Sequence, residues 1–163
     1  MIDKKETLVE FHDIDVIRSY PAFLENLIRE SEAAILVYDI TSRESFQFIK
    51  TIYDKVMSTK ASKKSLKSKP FTFCVTGNKS DCPHERQVEM VEGEKLAALL
   101  GCHFWETSAT TMENVEECLC DIVRELRQHQ KYPTASTGSE KSGFVKRFRH
   151  IQSLGSTIGG QRH

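Results

Sequence analysis

The sequence predicts an α/β fold, a mostly parallel sheet of about four strands with flanking helices and a disordered carboxyl-terminal tail. Three observations carry this. Short apolar or β-branched runs alternate with longer segments of helical periodicity, the order seen when helices cross over between parallel strands. One run, Ala33–Ile40 (AAILVYDI), is almost continuously apolar, as strands covered on both faces are. Two others, Phe71–Thr76 and His103–Glu106, each lead into a polar turn. That order sets side chains at the carboxyl edge of a sheet, where open α/β sheets bind ligands.

Taken in order, Thr7–His12 (TLVEFH) alternates as a half-buried strand does, and Asp13-Ile14-Asp15-Val16 closes it. Pro21 suits the first position of a helix over Pro21–Glu30, with Phe23, Leu24, Leu27 and Ile28 on one face. After the Ala33 strand, Thr41 or Ser42 can cap a helix over Arg43–Ser58 whose stripe is Phe46, Ile49, Tyr53, Val56 and Met57. Lys60–Lys69 alternates lysine with serine and reads as a flexible, solvated loop. A helix over Val88–Leu100 turns Leu96, Leu99 and Leu100 inward and stops at Gly101. The last helix runs from Met112 or Glu113 to His129, with Val115, Leu119, Ile122, Val123 and Leu126 on one stripe. Acidic residues open it and Arg124, Arg127 and His129 close it, both suited to the helix dipole. Residues 131–163 are rich in serine, glycine and lysine and read as disordered, and 1–130 as one domain.

Formal net charge is zero, so no global field points to nucleic acid. The five cysteines, Cys74, Cys82, Cys102, Cys118 and Cys120, match no metal or redox spacing, and a reduced, cytoplasmic protein is the reading. Neither a signal peptide nor a membrane-spanning apolar run is present. Within the tail, Phe144–Ile151 mixes aromatics with Lys146, Arg147 and Arg149, a pattern suited to an anionic membrane surface or a partner.

The chemistry concentrates in Asn78-Lys79-Ser80-Asp81 and Glu106-Thr107-Ser108-Ala109. A fixed carboxylate at Asp81 accepts two hydrogen bonds from the ring N–H and exocyclic amine of guanine, a pair that adenine lacks. Lys79 has a stem that can lie along a base, and Asn78 can bond both the base and a neighbouring loop. His12, His84, His103 and His129 are scattered over different elements and accompany no nucleophile, which argues against an unrelated α/β enzyme.

These two strand-end loops, with one amphipathic helix between them, resemble the guanine-specificity loops of the Ras-like small GTPases. Ala33–Phe46 (AAILVYDITSRESF) is similar to the stretch that follows that family's second switch region. The resemblance covers Glu6–Gln130 and implies an incomplete P-loop NTPase fold. It implies GTP or GDP as ligand, Mg²⁺ as cofactor, and effector or regulatory proteins as partners in signal transduction, at the inner face of the plasma membrane or in the cytoplasm. Carried over, Ala109 offers its backbone N–H to the guanine O6, Ser108 holds Asp81, and Asp13 approaches Mg²⁺ through water.

The departures from that pattern are equally specific. No pair among the eight glycines frames a GxxxxGK[S/T] phosphate loop, and the switch threonine is missing, so the chain reads as amino-terminally truncated. Val16 stands where the family has the glycine of DxxG, and Ile17 where Ras proteins carry a glutamine that orients the attacking water. The tail has no cysteine near its end for prenylation. Weak or absent nucleotide binding and impaired hydrolysis are therefore expected, the alternative function being a non-catalytic Ras-like interaction module. In the family the first strand lies between the Thr7-type and Ala33-type strands, so here those two must pair directly or leave an edge open.

Overall fold

Strand pairing in register decides where everything else goes. In the computed structural model, which describes residues 1–13, 21–61 and 71–131, three strands form one parallel sheet in the order β1-β2-β3. They are β1 (Ala33–Asp39), β2 (Thr72–Asn78) and β3 (His103–Thr107). β2 is central and apolar or β-branched over most of its length, and Thr72 to Gly77 are all buried. Four helices flank the sheet: α1 (Pro21–Glu30), α2 (Arg43–Ala61), α3 (Met90–Leu100) and α4 (Val115–Lys131). The alternation of strand and helix, and the parallel sheet, are those of the predicted class.

The expected strand at Thr7–His12 does not form, so the sheet has three strands instead of about four. Alternation is necessary for a half-buried strand but not sufficient, because a strand also needs a partner for its amides. The segment instead begins with a tight turn. Asp3 and Lys4 both have positive φ (50° and 62°), and Ile2 and Lys5 exchange two backbone hydrogen bonds of 3.0 and 3.1 Å. Arg124 grips the Asp3 carboxylate through Nε and Nη2, and Arg127 donates to the Ile2 carbonyl at 2.9 Å and to the Thr7 hydroxyl. Beyond Thr7 the chain leaves this anchor, and Leu8 is 99% exposed.

One face of the sheet packs on α2 and α3. There the buried Tyr38 ring meets Phe46 edge-on, at a centroid distance of 4.9 Å. Gly93 of α3 lies so close that a Cβ would stand 2.4 Å from the Phe104 ring, which is why a glycine occupies a helix interior. This corrects the expected inward stripe of α3. Gly93 and Ala97 face the sheet with Leu96 and Leu100 half-buried, while Leu99 is 75% exposed. α3 opens with a reciprocal capping box between Glu89 and Glu92, and Gly101 ends it in the left-handed conformation at φ 70°.

Two other boundaries moved. α2 continues to Ala61, so Lys60 belongs to its last turn and not to the solvated loop. Its Nζ donates to the carbonyls of Arg29 and Ser31 (3.1 and 2.5 Å) and lies over the Phe71 ring, which anchors the end of α1. Met57 is exposed, and Thr59 takes the buried position on that stripe. α4 starts at Val115, later than expected, because Met112 and Asn114 adopt positive φ (63° and 57°) and break any earlier turn.

The other face carries α4. Cys74, Cys118 and Ile122 form a buried cluster with Ala33, Ile35, Trp105 and Leu126 packed around it. Beside the cluster sits the buried His103, with Nδ1 3.1 Å from Asp121 and Nε2 2.6 Å from Glu125. Burial works against the charged ring, but the two carboxylates override it and hold its pKa up at about 9. A histidine whose folded pKa is raised stabilises the fold below its unfolded pKa and loses that contribution as pH rises through the folded value. Stability by urea unfolding should therefore fall by about 2 kcal/mol between about pH 6.5 and pH 9.5. His103→Gln should flatten this window, and an unchanged pH dependence in that variant would refute the assignment.

Candidate functional site

The register sets three strand ends side by side: Asp39 pairs with Asn78, and Asn78 with Thr107. The loops that follow β2 and β3 therefore leave the sheet as neighbours. They are tied at several points. The Ser80 amide donates to the Thr107 carbonyl (3.0 Å), the Ala109 amide to Asn78 Oδ1 (3.1 Å), and the Ser80 hydroxyl to Glu113 (3.0 Å). The Ser108 amide closes on the Glu113 carbonyl at 3.1 Å, and the Ser108 hydroxyl accepts from the Thr111 amide at 3.0 Å.

Within the first loop, Lys79 adopts a left-handed backbone at φ 71°, and the Cys82 amide closes a turn onto the Lys79 carbonyl at 2.9 Å. A lysine in this conformation costs about 1 kcal/mol, a strain that persists only where the surroundings fix it. Here they do. The Lys79 ammonium lies 2.6 Å from Asp39 Oδ2, so both ends of its side chain are held. Burial tends to raise the Asp39 carboxyl, yet hydrogen bonds from Lys79 and Thr41 win and keep it below its usual range. The bond to Asp39 in turn raises the Lys79 ammonium.

Asp81 is exposed at the tip of the loop, and the Ser108 hydroxyl behind it is fully buried. The nearby Ser108 hydroxyl is the largest influence on the Asp81 carboxyl and holds it below its ordinary value despite the opposing effect of burial. Asp81 thus stays ionised at neutral pH and keeps its oxygens as acceptors. Cys82 is half-buried, and burial together with the Asp81 charge pushes its thiol up, leaving it a weak nucleophile. The bidentate pair of Arg86 with Glu106 (2.7 and 2.8 Å) pins the following turn to β3.

Asn78, Lys79, Asp81, Ser108 and Ala109 are therefore gathered into one corner. Asp81 and Ala109 are exposed there, and Ser108 is buried behind them. Asp39 and Glu113 were not singled out from the sequence. A charge ending an apolar strand was the available signal for Asp39, and Glu113 gave none. Asp13 is exposed, and among the described residues no group of three or more His, Cys, Asp or Glu side chains is placed to hold a metal ion. Val16, Ile17, residues 62–70 and the basic Lys146, Arg147 and Arg149 lie outside the described residues.

Replacing the buried hydroxyl tests the electrostatics of this corner. Ser108→Ala should raise the pH at which the Asp81 side-chain carboxyl titrates, followed by its ¹³C chemical shift. An unmoved midpoint would show that Ser108 does not govern that charge.

A family description, "Ras family", matches residues 1–128. Similar proteins include a "Ras-like protein" of Laccaria bicolor, 38% identical over 138 residues, covering 85% of this chain and 63% of that protein. "Protein ras-2" of Neurospora crassa is 36% identical over 169 aligned residues, covering 90% and 74% respectively. "Ras-like protein rasB" of Dictyostelium discoideum is 31% identical over 148 residues, covering 91% and 72%. The chain thus spans less than two thirds of the length of the first of these. No described helix is long and apolar enough to cross a membrane. By the extent of these matches, the chain belongs to the Ras family.

Proposed function

We propose that this chain carries the guanine-recognition part of a Ras-like GTP-binding switch that acts in signal transduction. One observation supports this above the rest. The two strand-end loops are hydrogen-bonded to each other so that an ionised, serine-backed Asp81 and the Ala109 amide share one corner. On this reading Asp81 accepts from the guanine ring N–H and amine, and the Ala109 N–H, which donates to Asn78 Oδ1 in the free chain, turns from it to the guanine O6. The Lys79 stem, fixed at Asp39, lies along the base.

These 163 residues hold no GxxxxGK[S/T] segment, so the triphosphate has no backbone nest or lysine within them. Contacts to a base alone contribute about 4 kcal/mol, which corresponds to binding near one millimolar. The hydrolytic residues are altered as well. Ile17 cannot hydrogen-bond a water, and Val16 resists the backbone angles that a glycine would adopt. These two residues favour a second reading, a Ras-like module that recognises effector or regulatory proteins without turning over GTP. On either reading, contact with an anionic membrane surface would fall to Lys146, Arg147 and Arg149.

Titration of the isotopically labelled chain with GMP and with AMP separates base recognition from phosphate binding. GMP should shift the Lys79, Asp81 and Ala109 amides with a dissociation constant near millimolar, and AMP should leave them unmoved. Asp81→Ala should abolish the GMP response, and GTP should bind no more than a few-fold tighter than GMP. Micromolar GTP binding that survives Asp81→Ala, or Mg²⁺-dependent phosphate release, would overturn the proposal.

A further inference from the structure

We infer that Cys74 and Cys118 form an oxidisable dithiol, which a peroxide converts to a disulfide that staples α4 to the central strand. The inference is independent of the nucleotide reading and starts from the periods of the two elements. Side chains two apart on a strand share a face, so Cys74 and Thr76 of β2 both turn towards α4. Residues four apart share a face of a helix, so Cys118 and Ile122 of α4 turn back towards them. Two thiols 44 positions apart in the chain, which no motif spacing marks, are thereby brought into contact. Their sulfurs lie 3.8 Å from each other, and the Thr76 hydroxyl stands 3.6 Å from Cys74 Sγ and 3.7 Å from Cys118 Sγ. Both cysteines are buried. Cys102 is buried as well, but its thiol faces the Ala97 carbonyl at 3.7 Å, and Cys120 is half-buried on another side of α4.

The surroundings give the two sulfurs different parts. Hydrogen bonds from Cys74 and Thr76 draw the Cys118 thiol below its ordinary value against burial, while the contact with Cys118 and burial push the Cys74 thiol up. Burial pushes the Cys102 thiol up to about 12. Cys118 is therefore the nucleophile of the pair. It sits at the end of the first turn of α4, where local opening admits a molecule as small as hydrogen peroxide. The Cys118 sulfur attacks one peroxide oxygen, an S–O bond forms as the O–O bond breaks, and the other oxygen leaves as water with the thiol proton. The Cys74 sulfur then attacks the Cys118 sulfenic acid, an S–S bond forms as the S–O bond breaks, and a second water carries off the Cys74 proton. Two thiols lose two hydrogens, and one peroxide is reduced to two waters. A sulfur–sulfur bond is about 2 Å long, so closing it asks the pair to approach by about 1.8 Å. The product joins β2 to α4 and restrains the unfolded chain.

The test treats the whole folded chain with hydrogen peroxide and follows its intact mass and its unfolding by urea. The mass should fall by two hydrogens, the urea midpoint should rise, and dithiothreitol should reverse both. A chain carrying Cys82→Ala and Cys120→Ala, two half-buried positions outside the pair, should behave in the same way. Cys118→Ala should abolish the two-hydrogen loss, and Cys102→Ala should retain it. Gain of oxygen without loss of hydrogen, in the wild type or in the Cys82→Ala, Cys120→Ala chain, would overturn the inference. So would a two-hydrogen loss that survives Cys118→Ala, one that needs urea-unfolded chain, or a cross-link that lowers the urea midpoint.

Discussion

The parallel register of β2 with both of its neighbours is the constraint on which the rest of the structure depends. It sets Asp39, Asn78 and Thr107 in one row at the same end of the sheet. Every later contact of the site follows from that row. Lys79 reaches Asp39 because the next strand ends beside it. Asn78 reaches the Ala109 amide, and Ser80 the Thr107 carbonyl, because β3 ends one strand further along. A slip of one residue in either pairing would turn the strand's side chains to the opposite face and separate the loops. Burial enforces the register: β2 is enclosed on both faces, and Gly77 and Gly93 let Tyr38 and α3 approach it closely.

The same sheet is specified unevenly. β2 has a partner on each side, while β1 has one and a bare outer edge, among the described residues. The residues that cover the sheet are likewise uneven, since α4 packs on β2 and reaches only the amino-terminal half of β1 through Ala33 and Ile35. The site and the open edge thus follow from one topology. The carboxyl ends of the strands are knitted into one corner, and among the described residues no second strand pairs with the outer flank of β1.

Much of this was legible in the sequence, for physical reasons. Continuous apolar runs with turns behind them marked β1, β2 and β3, and Pro21 marked the start of α1. The two polar turns were visible as strand-end loops because each follows such a run directly. What failed was whatever depends on a partner or on backbone sign. Thr7–His12 has the alternation of a strand, but alternation does not supply hydrogen bonds, and the segment stays exposed after its anchor on Arg124 and Arg127. Left-handed angles at Met112 and Asn114 delay α4, and neither residue is a glycine that would have signalled them. The Lys79–Asp39 pair spans two strands, so only the register could reveal it. Leu99 illustrates the reverse error: hydrophobicity suggested the core, but the close approach of Gly93 and Ala97 set which face turns in.

Strand register brings the two loops together into the corner they share. The most direct measurement is a nuclear Overhauser spectrum of the nucleotide-free chain at the Ala109 amide. Cross-peaks from that proton to the Asn78 side chain, together with slowed exchange of the Ser80 amide, are the predicted result. An Ala109 amide that exchanges freely and shows no contact with Asn78 would contradict it.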